Sequence, residues 1–535
     1  MKTGLKENLK ESLHALAHRK EFWIAVVLYA LAAAVIGMMF ASCAAGSVWW
    51  DEYFSFWLTE QGYLRLVYLT AHDVHPPLYY CMLKFCIDAT SLVGADRIVV
   101  AKCFSVFPYV ALWVYSLIFV RRDFGWIVSG AFALLIVTMP NLFTYASEIR
   151  MYSWSMGFVT AALIHLYQVI KDPNSIFAWC ALSFHTLCAA YTQYFALLSV
   201  FFLWLGLFIY LIVRNRRALV RFAIFAGATV LLYAPWMYYL LRQINTYSEG
   251  SSGAVNWGDW QQYYVFAFYF PAAWKDFHWF VSAICLVCLA LAFVRHRLDA
   301  VNLTGLIGIA TFLAVSLSLT LIPALTNHPV FNRYIFPALG CVWYPVCVMS
   351  ARLFENPFRT LSEAGKDAKA IAKKAMPFVN VAFLSLLTVC LAISGSINTV
   401  QAWKAYAKER DEYYIYRAEV LDKIGEDDIV VADGVFARTA LTAMLGSGRC
   451  YAYGPSVEES WVVHQNPVMW EADDMVENAQ AGKTVWLFAS DAFPADALAL
   501  VRELCEENGI SFETLGRYTQ VDSVDCAHSD VYKIG

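Results

Sequence analysis

The residues best equipped for chemistry fall in four short clusters, two of which lie between residues 49 and 80. In the first, the adjacent carboxylates of Asp51 and Glu52 follow a pair of tryptophans. In the second, His72, Asp73 and His75 precede a pair of prolines, which stiffen the backbone and favour the start of a helix. Carboxylates and imidazoles accept and donate protons, so both clusters suit general acid–base chemistry.

Other interpretations of these two clusters stay open. An acidic pair such as Asp51 and Glu52 can simply cap the start of a solvated surface helix. The side chains of His72, Asp73 and His75 are ligand types that a divalent metal accepts, although their spacing is permissive rather than specific. A divalent metal is therefore possible, and no cofactor is certain.

The other two clusters carry arginines. Arg150 lies two residues after Glu148, and Arg333 directly precedes Tyr334, each at the predicted outer start of a membrane helix. Arginines on that side break the usual pattern, in which basic residues concentrate in the cytoplasm. An arginine at membrane depth also needs an anionic partner, such as a phosphate or a carboxylate. A salt bridge to Glu148 or Asp73 is the structural alternative to a phosphate-binding site.

Membrane helices are the elements that must position these clusters. The sequence is 60% hydrophobic and 15% charged with a mean hydropathy of +0.51, whereas soluble proteins are roughly one-quarter charged. Charge-poor segments approach the ~20 residues that cross a bilayer, and they predict an all-α polytopic membrane protein with about 11 transmembrane helices. The predicted spans are Phe22–Phe40, Ile98–Val120, Trp126–Asn141, Met151–Ile170, Ile176–Tyr191, Tyr194–Val213, Phe222–Leu241, Trp279–Val294, Val301–Pro323, Tyr334–Ser350 and Pro377–Ile397.

The distribution of lysine and arginine predicts the orientation of the spans. Basic residues concentrate in alternate connections and in residues 1–21, which places the N-terminus in the cytoplasm. With an odd number of spans, the first outer loop (residues 41–96) and the C-terminal region both lie outside. Two amphipathic stretches of this loop, Tyr53–Leu69 and Leu78–Ile87, are predicted to lie along the membrane surface, and the short Tyr263–Trp274 segment is predicted to be interfacial or re-entrant.

The C-terminal region, residues 401–535, differs in charge from the transmembrane domain, residues 22–400. It has 24 acidic and 11 basic side chains, a net charge of −13, whereas the rest of the chain has a net charge of +9. This asymmetry favours a separate, acidic, extracytoplasmic domain. Its three cysteines, Cys450, Cys505 and Cys526, allow at most one internal disulfide. Its pattern predicts an α/β fold with a partly parallel sheet, with strands at Asp428–Ala432, Thr484–Ala489 and Ser511–Val521 and helices at Tyr413–Ile424, Phe436–Leu445 and Ala495–Glu507.

The four clusters together resemble the C-type superfamily of membrane glycosyltransferases, which use polyprenyl-phosphate sugars, and especially its protein O-mannosyltransferase and aminoarabinose transferase branch. The most specific part is Asp51-Glu52 followed about twenty residues later by Asp-x-His-Pro-Pro-Leu-Tyr-Tyr, which begins at Asp73. Supporting matches are Glu-x-Arg-Met-Tyr at 148–152 and the Arg-Tyr pair at 333–334. The resemblance covers roughly residues 20–400 and leaves the C-terminal domain unmatched.

The resemblance implies a role for each matching residue. Asp51 would be the general base that deprotonates the acceptor for inverting attack on the anomeric carbon, and Glu52 would orient the acceptor or Asp51. The donor phosphate would be bound by His75, Arg150 and Arg333. His75 stands where aminoarabinose transferases often have a lysine, and it can act in that way only as a hydrogen-bond donor or when protonated. Further substrate contacts would come from Asp73, Tyr79, Glu148, Tyr152 and Tyr334.

The implied partners are a polyprenyl-phosphate sugar donor, membrane lipids, and a glycan, lipid or protein acceptor of the cell envelope, with no nucleic acid. The sugar, the acceptor and metal use stay open. A transporter or flippase of a lipid-linked or anionic solute is the alternative. Such a protein should carry charged residues near the middle of the membrane. The predicted spans are nearly free of charge at that depth, with Lys102 and His165 as the main exceptions. A membrane-anchored sensor would explain the acidic C-terminal region but would leave Asp51 and His75 without a role.

Overall fold

The computed structural model divides the chain into two compact units. The first comprises residues 1–41, 63–85 and 103–402, and the second comprises residues 42–62, 86–102 and 403–535. The predicted N-terminal segment 1–21 and the predicted span Pro377–Ile397 lie almost entirely outside the described residues, as does Cys526. The described residues are 20–44, 48, 50–139, 141–246, 257–268, 277–296, 298–326, 330–351, 393, 397, 399–401, 403–405, 407–408, 410–433, 441–442, 444–445, 448–454, 469–491, 493–518 and 528–535.

Helices dominate the chain up to residue 402. They are α1 (Lys20–Ser42), α2 (Trp50–Glu60), α3 (Tyr63–Ala71), α4 (Leu78–Ser91), α5 (Arg97–Tyr115), α6 (Arg121–Thr138), α7 (Leu142–Ala146), α8 (Tyr152–Lys171), α9 (Ile176–Thr192), α10 (Tyr194–Arg214), α11 (Leu219–Thr246), α12 (Trp257–Phe268), α13 (Phe277–His296), α14 (Ala300–Thr326) and α15 (Gly340–Ala351). Shorter helical turns are a π-helix at Ser116–Val120 and 3-10 helices at Arg216–Ala218 and Asn332–Ala338.

Six helical segments within the described residues are long and apolar enough to cross a bilayer. Two more, Ile176–Thr192 and Gly340–Met349, are apolar but shorter, and the predicted span Tyr334–Ser350 begins as a 3-10 helix. The predicted number of about 11 spans is therefore matched only in part. The six segments are Phe22–Ser42, Arg97–Thr138, Tyr152–Lys171, Tyr194–Arg214, Arg216–Ile244 and Ala300–Ile322.

The segment Arg97–Thr138 is too long for one crossing. Its 42 residues would extend about 63 Å as a straight helix, twice the ~30 Å hydrocarbon thickness. Gly125 interrupts the helical conformation with φ 82° and ψ −176°, a backbone region essentially restricted to glycine. The interruption coincides with the gap between the predicted spans Ile98–Val120 and Trp126–Asn141, so two spans remain the better description.

Helix α8 lies at the centre of the described part of the first unit. In the most apolar 18-residue stretch of α8, 83% of the residues are buried. In the corresponding stretch of Arg216–Ile244 only 17% are buried, so that segment is largely exposed. Helix α15 approaches α8 closely at Gly340, where a Cβ atom would lie 2.9 Å from the Cβ of Thr160. Small residues at such crossings let membrane helices pack through van der Waals contact. The packed helix gives a fixed anchor to the residues that precede it, 147–151.

The first outer loop forms three helices, α2, α3 and α4, where the sequence predicts two amphipathic stretches. A break at residues 61–62 separates α2 from α3 within the predicted stretch Tyr53–Leu69. Leu64, Tyr68 and Phe85 on these helices are largely exposed. Exposed apolar side chains of this kind fit helices that rest on a membrane surface.

The second unit contains a six-stranded sheet in the order β3-β2-β1-β4-β6-β5. Strand β1 pairs in parallel with β2 and β4, and β2 pairs in parallel with β3, whereas β6 runs antiparallel to β4 and β5. This confirms the predicted partly parallel sheet. The elements are β1 (Ile429–Asp433), β2 (Cys450–Tyr453), β3 (Met469–Trp470), α16 (Ala472–Gln480), β4 (Val485–Ser490), α17 (Ala495–Glu507), β5 (Phe512–Tyr518) and β6 (Ser529–Ile534).

Both faces of this sheet are covered. On one face Tyr416 packs against Phe488, and on the other Met475 and Val501 pack with Leu487. Burial of both faces explains why the central strands β1 and β4 are almost continuously apolar.

The carboxyl ends of β1 and β4 are joined by side chains. Asp433 Oδ1 accepts from the backbone N–H of Ser490 at 2.8 Å, and its Oδ2 accepts from the Ser490 hydroxyl at 2.5 Å. Burial raises the pKa of Asp433, and the two Ser490 hydrogen bonds oppose that shift.

Candidate functional site

Asp73, His75 and Arg150 form one hydrogen-bonded chain in the first unit. His75 Nδ1 lies 3.2 Å from Asp73 Oδ2, and His75 Nε2 lies 3.4 Å from a terminal nitrogen of Arg150. The His75 and Asp73 side chains are 15% and 19% exposed, whereas Arg150 is only 4% exposed. These hydrogen bonds therefore connect the buried guanidinium of Arg150 to the partly accessible side chains of His75 and Asp73.

The partners of His75 define which tautomer its neutral ring adopts. A carboxylate only accepts hydrogen bonds and a guanidinium only donates them. Neutral His75 therefore carries its proton on Nδ1, donates it to Asp73 and accepts from Arg150 through Nε2. Asp73 thereby orients the imidazole, and His75 in turn orients Arg150. To donate from Nε2 to a phosphate, His75 would have to gain a second proton and release Arg150.

Arg333 is anchored on the same segment as Arg150. Its Nε donates to the hydroxyl of Tyr152 at 2.9 Å, and its guanidinium carbon lies 4.6 Å from the ring centre of Phe331. Tyr152 is 1% exposed and is the first residue of α8, two residues after Arg150. The Arg333 side chain is thus held by a residue two positions after Arg150, although 183 positions separate the two arginines in the chain.

Tyr145, in α7, is a functional candidate that sequence reasoning missed. Burial raises the pKa of its hydroxyl, the nearby Glu148 carboxylate raises it further, and Arg333 lowers it. The Tyr145 ring also lies 5.8 Å from the Tyr152 ring. Tyr145 therefore stands within electrostatic reach of both Glu148 and Arg333. A tyrosine in an apolar stretch gives no signal of this kind in the sequence.

The other predicted substrate contacts differ in accessibility. Glu148 and Tyr334 are partly exposed, and the Tyr334 ring stacks on Phe195 with centroids 4.8 Å apart. Tyr79 has no exposed surface, and its hydroxyl lies 3.3 Å from Ser105 Oγ. Direct substrate contact is therefore easier to assign to Glu148 and Tyr334 than to Tyr79.

His72 belongs to a separate contact from His75. Its Nδ1 donates to the carbonyl oxygen of Tyr68 at 2.8 Å, which leaves Nε2 to accept from Arg242 at 3.2 Å. Among the residues that the structure describes, no group of three His, Cys, Asp or Glu side chains is placed to hold a metal ion. Arg242 was also missed from the sequence. It follows the predicted span Phe222–Leu241 on what the sequence predicts to be the outer side, so the rule that selected Arg150 would have found it.

Asp51 and Glu52 lie in the second unit, in the first turn of α2. Carboxylates in a first turn are favoured by the helix dipole. Glu52 is 3% exposed, whereas Asp51 is partly exposed and its backbone carbonyl accepts from Ser55 Oγ at 3.0 Å. Since a general base must reach its substrate, Asp51 is the better placed of the two for that role. The burial of Glu52 fits an orienting function.

The fold is shared with a solved membrane enzyme. The crystal structure of ArnT, the aminoarabinose transferase, from Cupriavidus metallidurans bound to undecaprenyl phosphate superposes with a TM-score of 0.56 at 14% identity, covering 96% of this chain and 98% of that one. Its apo structure superposes with a TM-score of 0.54 at 15% identity, covering 95% and 97%. No family model and no curated protein matches the sequence. The chain is therefore a multi-pass membrane protein whose fold is similar to that of ArnT.

Proposed function

We propose that this protein transfers a sugar from a polyprenyl-phosphate-linked donor to an acceptor outside the cytoplasm, with inversion at the anomeric carbon. The observation that carries this proposal is the anchoring of Arg150 and Arg333 on one segment, in a fold whose solved neighbour was crystallised with undecaprenyl phosphate. Guanidinium groups bind phosphate through paired, charge-assisted hydrogen bonds. Arg150 and Arg333 are therefore the proposed ligands of the donor phosphate.

His75 and Asp73 support this phosphate site in the proposal. With neutral His75, the pair holds Arg150 in a fixed orientation, which lowers the entropy lost when phosphate binds. When His75 takes a second proton, its Nε2 becomes a further donor to phosphate, and Asp73 stabilises the resulting charge. Glu148, Tyr152 and Tyr334 then contribute substrate contacts or hold the groups that make them.

Asp51 is the proposed general base. Its carboxylate takes the proton of the acceptor nucleophile as that nucleophile forms a bond to the anomeric carbon of the sugar. The bond from that carbon to the phosphate oxygen breaks with its electron pair, and polyprenyl phosphate leaves. Arg150 and Arg333 stabilise the negative charge that develops on the leaving phosphate. Glu52 orients Asp51 or the acceptor.

The membrane location fits a lipid-linked donor, whose chain can remain in the bilayer while its headgroup meets the enzyme. In the proposed orientation the N-terminus lies in the cytoplasm, and the acidic C-terminal domain lies outside. The acceptor is a glycan, a lipid or a protein of the cell envelope, and no metal is required by the proposed steps.

The test is a comparison of envelope material from cells that lack the protein and cells that express it. Mass spectrometry of glycans, lipids and proteins should reveal a sugar addition that depends on the wild-type chain. Asp51→Asn should abolish this addition while protein level and membrane insertion stay unchanged. Asp88→Asn is the matched control, since it neutralises an exposed carboxylate of the same loop that has no proposed role.

Full sugar addition by Asp51→Asn would overturn the proposed mechanism. A transporter or flippase would give a different result, since purified protein in liposomes would move a lipid-linked or anionic solute without any acceptor and without a covalent product.

A further inference from the structure

Helix α2, which carries Asp51 in its first turn, is held at its other end by Arg97. A terminal nitrogen of Arg97 lies 3.6 Å from Glu60 Oε1, at the last residue of α2. The guanidinium carbon of Arg97 also lies 4.8 Å from the ring centre of Phe56, one turn before Glu60 and 3% exposed. Arg97 thus contacts α2 through both a charge and an aromatic face.

The backbone of Arg97 is itself fixed. Arg97 is the first residue of α5, and Asp96 caps that helix. Asp96 Oδ1 accepts from the backbone N–H groups of Ile98 and Val99 at 2.9 and 3.1 Å. A capped helix start is a rigid attachment point, because the first N–H groups of the helix have acquired partners. Any movement of α2 at Glu60 is therefore resisted by the start of a membrane-spanning helix.

Asp96 also acts on the charges of residues that precede the C-terminal sheet in the chain. The Asp96 carboxylate acts electrostatically on Tyr413, whose pKa is raised mainly by burial, and on Arg417, whose pKa is raised mainly by its hydrogen bond to Asp422. Tyr416, between them in the chain, packs in the sheet core. Asp96 and Arg97 therefore lie where α2, the start of α5 and the C-terminal domain belong to one compact unit.

We propose that Arg97 is a positioning residue for Asp51, which it places through Glu60 and Phe56. The inference rests on the proposed function. Glu60 lies nine positions after Asp51, about 14 Å along a helix, so a small tilt at Glu60 shifts the carboxylate. A displacement near 1 Å can reduce the rate of a positioned reaction by about a hundredfold.

A positioning role predicts a split between rate and donor binding. Arg97→Met keeps an unbranched side chain over Phe56 but removes the charge that meets Glu60. Initial rates of sugar addition after induced expression, measured by mass spectrometry, should fall about tenfold for Arg97→Met and for Glu60→Gln. Affinity of the purified full-length protein for undecaprenyl phosphate, measured by native mass spectrometry, should stay within twofold of wild type, because Arg97 does not touch the donor phosphate.

Two further variants separate positioning from a general folding defect. Arg97→Lys retains the charge and should keep at least half of the rate, and the charge exchange Arg97→Glu with Glu60→Arg should recover most of what each single change loses. Arg502→Met is the matched control, since it removes an arginine that lies 5.1 Å from the Phe512 ring elsewhere in the same unit. It should leave the rate unchanged.

Wild-type rates in Arg97→Met would overturn the inference, as would a parallel loss of rate and undecaprenyl phosphate affinity. An exchange variant no better than its single changes would overturn the pairing with Glu60. Failure of the proposed function is distinguishable, because Asp51→Asn would then retain full sugar addition. If Asp51→Asn is inactive and Arg97→Met is fully active, only the positioning role is rejected.

Discussion

Arg333 donates a hydrogen bond from Nε to the hydroxyl of Tyr152, at 2.9 Å and across 181 residues of the chain. The bond ties the 3-10 helix Asn332–Ala338 to the first residue of α8, the most buried of the candidate membrane helices. An arginine held through Nε keeps its guanidinium plane in one orientation. In the proposed phosphate site, Tyr152 would therefore act by orienting Arg333.

Tyr152→Phe should weaken undecaprenyl phosphate binding by about three- to tenfold, because one hydrogen bond is worth about 0.5–1.5 kcal/mol net. Affinity can be measured on the purified full-length protein by native mass spectrometry. Tyr109→Phe is the control, since it removes a buried hydroxyl that lies 3.1 Å from Ser153 Oγ. Equal losses in the two variants would show that hydroxyl removal acts through packing and not through Arg333.

The Asp73–His75–Arg150 chain predicts coupling between its members. Asp73→Asn removes the charge that holds the His75 proton on Nδ1, so Arg150 loses its fixed acceptor and undecaprenyl phosphate affinity should fall about tenfold. If Asp73 acts through His75, the same change should have little effect in a His75→Leu background, because mutations within one network are not additive. Additive losses in the double variant would instead indicate that Asp73 contacts the ligand directly.

The predictability of the fold differed between the two units. Long apolar segments such as Tyr194–Arg214 can be recognised as membrane spans from sequence alone, because crossing a bilayer requires length and low charge within a single stretch. Strands β1, β4 and β5 and helix α17 were predicted, whereas strands β2, β3 and β6 were not. These three strands have four, two and six residues, and pairing with their neighbours rather than local sequence defines them.

The candidate site was predictable as residue types but not as pairs. Chain position suggested His72 with His75, whereas the structure pairs His72 with Arg242 and His75 with Arg150. His165, a polar exception within a span, is bonded to Tyr115 at 3.2 Å and to Gln168 at 3.0 Å. Partners brought from other helices decide such pairings, and a single sequence contains no record of them.

Asp433 predicts a pH dependence of the C-terminal domain. Burial raises its pKa in the folded state, so the folded domain binds more protons than the unfolded chain at pH values between the unfolded pKa and the raised folded one. Stability from this group should therefore fall as the pH rises through that window and level off above it. The protection factors for hydrogen exchange in the strand Val485–Ser490 of the full-length protein, which correct for the intrinsic rise of the exchange rate with pH, should fall over the same range. In Asp433→Asn this component should vanish, and an unchanged pH dependence would contradict the assignment.

Replacement of Gly125 should destabilise the protein because of the backbone conformation at that residue, without any steric clash. Its φ of 82° and ψ of −176° lie in a region that costs other residues about 1–3 kcal/mol, and a Cβ there would meet no atom within 4 Å. Gly125→Ala should therefore lower the apparent melting temperature of the detergent-solubilised protein without any steric clash. Gly37→Ala in α1 is the matched control, since that helical glycine also has open space around it and alanine favours a helix by up to about 1 kcal/mol. The two substitutions should shift the melting temperature in opposite directions. A Gly125→Ala protein as stable as wild type would mean that the chain can continue as helix through residue 125, and the division of Arg97–Thr138 into two spans would then be wrong.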